Sequence, residues 1–392
     1  MSELSAAPRI FISVAEQSAD EHAAALVRAF REKFPGARFA GLAGPALRAE
    51  GVECFFDMTA RSAMGIQAFK KIPEAWLLLR RLGRYFDRER FDAAVVIDSP
   101  ALNLPIAKLL KRRKIPVLYF IAPQTWAWGP PRWRNARIRR RVDRLACIWP
   151  FEAPYFQSAG IEATYVGHPS WDRLTQVQVD EARVAELRGG ASPVVTILPG
   201  SRRHVLREVL PGQLEVARSI RGRCPRLGVL IAAASDEIKT LIESELKRPG
   251  RRVEARVVTG ATDRAAAIRA ADLCLVASGT ISLEVAYWGT PMIIMYNHSK
   301  WGYRLIGRWL IRTPYLSIPN ILAGREIVPE FMPYYDSTAP ITARATEWLT
   351  NPTVLARIRA ELEALIQPIV KPGAAANAAG ELAVLLAEPG LR

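Results

Sequence analysis

The chain has 392 residues, half of them hydrophobic, and 54 Lys and Arg against 38 Asp and Glu give a net charge of +16. This length suits two globular domains, and the composition excludes a disordered chain. The charge favours anionic partners, although an arginine-rich genome would account for it equally well.

The cysteines, Cys54, Cys147, Cys224 and Cys274, are scattered, with no CxxC pair and no nearby histidine. This pattern indicates neither a disulfide framework nor a zinc site. The amino terminus lacks a basic segment followed by an apolar stretch, and no run of eighteen apolar residues occurs. We therefore expect no signal peptide and no spanning helix, and we predict a cytoplasmic protein that can still contact a membrane surface.

Short β-branched runs alternate with helical stretches in the first half of the chain, which predicts a parallel sheet with crossover helices. The predicted strands are residues 9–14, 38–42, 93–98, 116–122, 144–149 and 163–166. Residues 18–34 predict a helix with an apolar stripe. Ser18 is its predicted cap, with Glu21 as the capping-box partner.

A second such series follows the charged stretch around residues 172–192. Its predicted strands are residues 194–198, 227–233, 255–258, 273–276 and 292–296. The α/β pattern predicts two Rossmann-like, doubly wound parallel-sheet domains, residues 1–180 and 181–392, facing each other across a cleft. Ligands of open α/β sheets bind beyond the carboxyl ends of the strands, so polar motifs at those positions are the site candidates.

The first strand is followed by polar residues, Glu16, Gln17, Ser18 and Asp20, and not by G-x-G-x-x-G. The missing glycine pattern argues against a nicotinamide dehydrogenase. Asp20 and Glu21 can complement the dipole of the following helix, which explains those two residues but not Glu16.

Asp98 ends an apolar predicted strand, so its carboxylate is expected to face the cleft, where burial raises the pKa of a carboxyl group towards that of a general base. A cap for the helix after Pro100 is the alternative interpretation. Asn103, five residues further on, is near enough to orient a sugar hydroxyl.

In the second domain, Pro199-Gly200-Ser201-Arg202 directly follows a predicted strand. Gly200 lets the backbone approach a ligand, and Arg202 can form a forked contact with a phosphate. An ordinary strand-end turn is the alternative for this loop taken alone.

A second loop of the same domain strengthens the phosphate interpretation. Ser278, Gly279 and Thr280 offer small side chains and free N–H groups at a helix start, which suits a pyrophosphate. Glu284, about one helical turn further on, can accept hydrogen bonds from ribose hydroxyls. The two loops together predict a nucleotide-sugar donor whose leaving diphosphate is stabilised by the protein.

Six strings occur in a characteristic order and spacing. They are Ala122-Pro123-Gln124-Thr125-Trp126-Ala127-Trp128, Pro150-Phe151-Glu152, Val166-Gly167-His168-Pro169, Leu198-Pro199-Gly200-Ser201-Arg202, Ser278-Gly279-Thr280-Ile281-Ser282-Leu283-Glu284 and Ser317-Ile318-Pro319-Asn320-Ile321-Leu322. In this arrangement the chain resembles the lipid-A-disaccharide synthase family from about residue 10 to about residue 330.

The resemblance implies a GT-B fold and an inverting hexosaminyl transfer in lipopolysaccharide biosynthesis. The 6-hydroxyl of 2,3-diacylglucosamine 1-phosphate attacks UDP-2,3-diacylglucosamine, and the products are a β-1,6-linked disaccharide 1-phosphate and UDP. No metal and no organic cofactor are implied. The substrates place the enzyme at the inner-membrane surface as a peripheral protein.

The resemblance also implies roles for individual residues. Asp98 matches the proposed general base, and Arg202 matches an arginine near the donor phosphates. The substrate-binding residues that it implies are Glu16, Ser18, Asn103, Trp126, His168, Ser201, Ser278, Gly279, Thr280, Glu284 and Asn320. A structural role is the alternative for His168.

The sequence departs from the family pattern at several positions. Ala15 and Ala19 replace glycines of the first loop, which we expect to reshape that loop, because alanine tolerates positive φ poorly. Gln67 and Val205 replace glutamates, and Pro333 replaces a glutamine. These changes affect the expected substrate detail more than the reaction type.

Residues 73–90 and 300–312 combine Trp, Tyr and Leu with arginines, a composition typical of helices that lie in the headgroup plane. Helices that face the core and expose their arginines to solvent are the alternative. The arginine cluster in residues 132–141 lacks a recognised nucleic-acid motif, so we predict no nucleic acid and favour an acceptor phosphate or the membrane.

Two rival functions remain open from the sequence. One is another GT-B transferase or epimerase that uses UDP-N-acetylglucosamine with a soluble partner substrate, and the other is a repurposed, non-catalytic paralogue. The sequence also leaves open a homodimer, and whether the carboxy-terminal helices fold back on the first domain or exchange with a partner.

Overall fold

The computed structural model describes residues 7–59, 72–127, 129–297 and 313–388. Residues 300–312, Gln67 and Trp128 lie outside these ranges. The chain divides into two units, which we call unit 1 (Met1–Asp172 with Lys371–Arg392) and unit 2 (Arg173–Val370).

The elements alternate between strand and helix through most of the chain. The strands are β1 (Arg9–Ser13), β2 (Arg38–Leu42), β3 (Glu53–Phe56), β4 (Ala93–Ile97), β5 (Val117–Phe120), β6 (Arg144–Cys147), β7 (Ala163–Tyr165), β8 (Val194–Leu198), β9 (Gly228–Ala232), β10 (Arg256–Val258), β11 (Leu273–Ala277), β12 (Met292–Met295) and β13 (Glu330–Phe331). The described helices are α1 (Gln17–Lys33), α2 (Pro45–Ala49), α3 (Ile72–Arg88), α4 (Pro100–Lys111), α5 (Pro131–Arg139), α6 (Glu152–Gln157), α7 (Pro169–Leu174), α8 (Glu181–Arg188), α9 (Arg203–Arg221), α10 (Asp236–Leu246), α11 (Ala261–Ala270), α12 (Ile281–Tyr287), α13 (Ile318–Ala323), α14 (Ala339–Leu349), α15 (Pro352–Ile366) and α16 (Ala374–Ala387).

Unit 1 is built on a seven-stranded sheet in the order β3-β2-β1-β4-β5-β6-β7. All of its strand pairs are parallel. The chain winds outwards from β1 in one direction and then from β4 in the other. The central strands β4 and β5 are wholly buried, as expected for a parallel sheet covered on both faces.

Unit 2 is built on a six-stranded sheet in the order β10-β9-β8-β11-β12-β13, again with parallel pairs. Its central strands β8, β11 and β12 are wholly buried. The prediction of two doubly wound parallel-sheet domains is therefore confirmed.

Helix α3 has two different faces. Leu78, Leu82 and Phe86 are buried and follow the four-residue spacing of one helix face, and Phe86 meets Phe11 of β1 edge to face at 4.8 Å between ring centroids. Trp76, by contrast, is 58% exposed. The helix therefore belongs to the core of unit 1 and also presents an apolar side chain to the outside.

Helix α16 belongs to unit 1 although it ends the described chain. It packs against α1, and Arg144 at the start of β6 pairs with Glu381 at 2.9 Å and with Glu388 at 2.6 Å. The carboxylate of Asp172 accepts hydrogen bonds from the backbone N–H groups of Gly373 and Ala374, and so it caps the amino end of α16.

The return of the chain to unit 1 also explains a glycine of the Val166–Pro169 string. Gly167 has φ +99°, and a Cβ at this position would collide with the carbonyl oxygen of Lys371. Only glycine allows the two backbones to approach so closely.

The span Pro352–Ala387 has the length and apolar composition of a membrane-crossing helix. It consists of α15, a 3₁₀ turn (Gln367–Ile369) and α16, with irregular residues before α16. Helix α15 buries Ile358 and Leu362, and α16 buries Leu382 and Leu385. Core helices pass the same test, so this span carries no argument for a membrane crossing.

Candidate active site

Asp98 lies at the carboxyl end of β4 in a strained turn. Asp98 has φ +49° and Ser99 has φ +44°, so two consecutive non-glycine residues adopt the left-handed region. Such a conformation costs roughly 1–3 kcal/mol per residue and persists only where the surroundings enforce it. Ser99 is the N-cap residue of α4, so the interpretation of Asp98 as the helix cap is wrong.

Buried polar side chains enforce this turn. Asn103 donates from Nδ2 to the carbonyl oxygens of Ile97 and Asp98, both at 2.8 Å, and accepts from Ser13 Oγ at 2.7 Å. Tyr119 Oη donates to the Asp98 carbonyl oxygen at 2.5 Å. Burial, and secondly the charge of Asp98, raise the pKa of Tyr119 well above its usual value, so its hydroxyl remains a donor.

The environment of the Asn103 side chain differs from the one expected for a substrate contact. Its side chain is fully buried, and its amide is hydrogen-bonded to protein groups on both its nitrogen and its oxygen. A sugar hydroxyl has no access to this amide. We therefore replace the predicted sugar contact with a role in holding the Asp98 turn.

The first loop carries Glu16 and Ser18 to the surface at the start of α1, near the carboxyl end of β1. Glu16 is the N-cap residue and Ser18 lies within the first turn, so the predicted capping box of Ser18 and Glu21 is wrong. Ala15 and Ala19 do not adopt positive φ, so neither alanine strains the backbone of this loop.

Asp20 has a structural role that the sequence did not reveal. Its buried carboxylate accepts from the backbone N–H groups of Gly44 and Ala46, both at 2.8 Å, and so caps helix α2. It ties the first loop to the end of β2.

Trp126 is joined to the Pro150–Glu152 string. Its Nε1 donates to Glu152 Oε1 at 3.0 Å, and Glu152 Oε2 accepts from the backbone N–H groups of Ile148 and Trp149, both at 3.2 Å. Burial raises the pKa of Glu152 to about 7, although these three hydrogen bonds act in the opposite direction. Glu152 thus links the loops that follow β5 and β6.

His168 is buried beside aromatic rings after β7. Its ring centroid lies 4.6 Å from that of Trp149, and its Nδ1 accepts from the backbone N–H of Ser170 at 3.1 Å. This packing favours the structural alternative for His168.

Unit 2 contains a cavity of about 480 Å³ at the carboxyl ends of β8 and β11. Both predicted phosphate loops line it. The residues of the cavity wall are Arg173, Leu198, Gly200, Ser201, Arg202, Val205, Ala232, Ala234, Arg264, Ser278, Gly279, Thr280, Ile281 and Glu284. Three of these are arginines and one is a carboxylate, so the lining favours an anionic ligand.

The loop after β8 leads directly into α9, which begins at Arg203 with Arg202 as its N-cap residue. Gly200 has φ +98°, and a Cβ there would lie 2.9 Å from Val205 Cγ1. Arg202 is exposed, and its guanidinium forms no ion pair among the described residues. The free amino end of α9 and this guanidinium both favour an anion.

The loop after β11 presents open backbone to the same cavity. Gly279 has φ +146° with open space where a Cβ would be. Its carbonyl oxygen accepts from Ser282 Oγ at 2.8 Å, which fixes the turn into α12. Ser278, Gly279 and Thr280 are therefore held with their backbone at the cavity wall.

Glu284 is almost fully buried at the cavity wall, where two arginines contact its carboxylate. Arg264 Nε donates to Glu284 Oε1 at 2.8 Å, and Arg173 approaches Oε2 at 3.4 Å. Neither arginine is recognisable from the sequence, because each is an isolated basic residue outside any motif.

Asn320, which we expected to contact a nucleotide, is fully buried. Its Nδ2 donates to Val328 O at 2.8 Å and to Glu330 Oε1 at 2.7 Å, while its Oδ1 accepts from the N–H groups of Ile327 and Val328. All of its hydrogen-bonding groups are occupied within the protein. We therefore replace this prediction with a structural role that joins α13 to β13.

Comparison with known proteins defines the chain further. A UDP-GlcNAc 2-epimerase from Neisseria meningitidis bound to UDP-GlcNAc aligns with a TM-score of 0.55 at 11% identity, over 97% of this chain and 99% of that chain. A calicheamicin glycosyltransferase aligns with a TM-score of 0.59 at 12% identity, over 98% of this chain and 99% of that chain. These likenesses establish the GT-B fold, which glycosyltransferases and epimerases share.

Sequence similarity identifies the family of the chain within the GT-B fold. Residues 10–371 match the family described as lipid-A-disaccharide synthetase. A lipid-A-disaccharide synthase of Syntrophus aciditrophicus is 35% identical over 94% of this chain and 96% of its own length. A second, from Myxococcus xanthus, is 36% identical over 83% of this chain and 84% of its own length. The chain belongs to the lipid-A-disaccharide synthetase family and is an enzyme of the glycosyltransferase class.

Proposed function

We propose that the chain transfers 2,3-diacylglucosamine from its UDP derivative to 2,3-diacylglucosamine 1-phosphate. The observation that supports this most is the arginine-lined cavity of unit 2, with two glycine-containing loops at adjacent strand ends. A cavity of this composition suits the diphosphate and ribose of a UDP-sugar.

The proposed chemistry is a single displacement at the anomeric carbon. Asp98 takes the proton from the 6-hydroxyl of the acceptor as its oxygen attacks that carbon from the face opposite the leaving group. The bond from the anomeric carbon to the diphosphate oxygen breaks, its electron pair stays on UDP, and the configuration inverts. The half-buried turn at the end of β4 and its enforced backbone suit a positioned base.

The leaving diphosphate gains charge as this bond breaks. Arg202 and the N–H groups at the starts of α9 and α12 lie at the cavity where that charge is proposed to form. Fixed donors aimed at developing charge stabilise the transition state more than the ground state. This is the proposed role of Arg202 with Ser201, Ser278, Gly279 and Thr280.

We also propose that unit 1 works at the inner-membrane surface on its cytoplasmic side. Trp76 is 58% exposed and Leu77 54% exposed on α3, and the guanidinium carbon of Arg80 lies 4.5 Å from the centroid of the Trp76 ring. Trp133 on α5 is 60% exposed and has Arg137 at 4.8 Å in the same i, i+4 arrangement. Exposed aromatics beside arginines suit an anionic headgroup layer.

Both tryptophans lie near the amino ends of crossover helices. Crossover helices between parallel strands begin at the carboxyl edge of the sheet, which is the edge that carries Asp98. The proposed membrane contacts and the proposed base therefore share one edge of unit 1, so an acylated acceptor could reach the base without leaving the bilayer.

The test is incubation of the protein with the UDP-linked donor and the radiolabelled acylated monosaccharide phosphate, followed by chromatography. We expect a labelled disaccharide phosphate and an equal amount of UDP. A protein that binds UDP normally but makes no disaccharide would support the repurposed paralogue. Conversion of UDP-N-acetylglucosamine without any acylated acceptor would support the epimerase alternative.

A further inference from the structure

Glu284 is held by two arginines of very different character. The ion pair with Arg264 joins Nε to Oε1 at 2.8 Å, with side-chain exposures of 13% and 4%. The pair with Arg173 joins Nη2 to Oε2 at 3.4 Å, and the Arg173 side chain is 58% exposed. The buried pair is short and protected from solvent, so it controls the orientation of the carboxylate.

The backbone that carries Arg264 is anchored in the core of unit 2. Arg264 lies in the first turn of α11, whose next residues, Ala265, Ala266 and Ala267, are all fully buried. A guanidinium is planar, so a hydrogen bond from its Nε fixes both distance and direction, which the point charge of a lysine cannot do. Arg264 thus limits the rotation of the Glu284 carboxylate.

This contact leaves Glu284 with acceptor capacity. An ionised carboxylate has about four lone-pair positions, and Arg264 occupies one of those on Oε1. Oε2 has only the long contact with Arg173 among the described residues, and both residues line the cavity. A pair of neighbouring hydroxyl groups can therefore find an acceptor whose orientation is already set.

We infer that Arg264 is a positioning residue that fixes Glu284 as the acceptor for the ribose hydroxyls of the donor, and so makes the site select ribonucleotides over deoxyribonucleotides. This inference rests on the proposed UDP-sugar site. Arg264 lies outside the recognised motifs. Its buried ion pair both balances the charge of Glu284 and orients the carboxylate.

The experiment is isothermal titration of the full chain with UDP, 2′-deoxy-UDP and 3′-deoxy-UDP. For the wild type we expect at least one deoxy analogue to bind about tenfold or more weakly than UDP, because it leaves a buried acceptor without its donor. For Arg264→Gln we expect UDP to weaken while the ratio between UDP and the analogues falls to within roughly threefold.

Three further variants distinguish a positioning role of Arg264 from the effect of its charge alone and from an effect on folding. Arg264→Lys keeps the charge beside Glu284 and should still lose most of the selectivity. Arg173→Gln removes the looser contact and should change the selectivity less than Arg264→Gln does. Arg269 lies on the same helix as Arg264. Arg269→Gln removes its surface pair with Glu181 of α8 and should match the wild type.

The outcomes distinguish the inference from the proposed function. A wild type that does not bind UDP contradicts the proposed donor site. A wild type that binds UDP without selectivity, or a folded Arg264→Gln or Arg264→Lys variant with unchanged selectivity, overturns the inference and leaves the donor site intact.

Discussion

At the scale of single residues, the turn after β4 combines strain with support. Asp98 and Ser99 adopt left-handed backbone angles, while Asn103 and Tyr119 bind the carbonyl groups that precede and form the turn. Backbone strain of this kind persists only where the surrounding structure enforces it, and it is concentrated at active sites. It is consistent with the proposal that Asp98 is the base.

Replacement of Asp98 by Asn tests that proposal. Asn tolerates the left-handed region better than Ala, so the turn should survive while the proton acceptor is lost. We expect kcat to fall by about 100-fold or more, with UDP affinity unchanged. Asp87→Asn, which removes a surface partner of Arg113, is the control. Parallel losses of turnover and UDP affinity would exclude a general-base role.

Glu152 offers a prediction on pH. Burial raises its pKa from 4.5 to about 7, so the folded protein binds this proton more tightly than the unfolded chain does. The group therefore contributes stability that is complete below about pH 4.5 and is lost as the pH rises through about 7. The loss should be on the order of 1–3 kcal/mol.

Glu152→Gln mimics the protonated form and should remove this part of the pH dependence. Urea unfolding of the wild type and the variant between pH 4.5 and 8 measures the difference in stability. We expect the variant to gain stability relative to the wild type as the pH rises. A difference that stays constant over this range would contradict the raised pKa.

The sequence motifs indicated both loops that line the cavity of unit 2 and the strand end that carries Asp98, because these strings stand out in sequence. They could not reveal which polar side chains are used internally. Asn103 and Asn320 follow strand ends or helix starts like true ligand contacts, but each amide is buried and hydrogen-bonded to backbone and to one other side chain. Arg264 was missed for the opposite reason, since folding alone brings it to Glu284.

At the scale of elements, the strands predicted best are those with continuous buried apolar runs. The strands β2 and β8 begin and end where the sequence predicted. The missed strands, β3 and β13, are the outermost strands of their sheets, and no residue of either is fully buried. Edge strands bury one side only, so they lack the apolar run that marks a central strand.

The capping of α16 by Asp172 gives a prediction at this scale. Asp172→Ala leaves the N–H groups of Gly373 and Ala374 unpaired and should cost about 1–2 kcal/mol. Limited proteolysis should then cut the chain near residue 371 faster than in the wild type. Asp180→Ala removes the cap of α8 in unit 2 and is the matched control. Equal resistance of both variants at that site would exclude the proposed importance of the cap.

At the scale of the whole molecule, the three arginines that line the cavity of unit 2 account for only a small part of the net charge of +16. The sequence could not assign this charge to a partner, since genome composition explains an arginine excess as well. The exposed Trp–Arg pairs of α3 and α5 mark the surface of unit 1 where we propose that part of this charge contacts anionic lipid. The first predicted domain ends at residue 180, whereas unit 1 ends at Asp172 and regains the chain at Lys371.

Binding to vesicles that contain anionic phospholipid tests the membrane proposal. We expect binding to weaken between about 0.1 M and about 1 M salt, because screening shortens the range of the attraction. Trp76→Ala combined with Trp133→Ala should reduce binding by about tenfold or more. Val384→Ala removes an exposed apolar side chain of α16 and should have little effect. Retention of binding by the double variant would locate the contact elsewhere.

Because the chain returns to unit 1 after Val370, the two units are completed in a fixed order during translation. A ribosome releases the chain from its amino end, and domains generally fold as units. Unit 2 runs without interruption from Arg173 to Val370, so its whole sequence has been translated while unit 1 still lacks α16. The unit whose translation begins first is therefore the last to be completed.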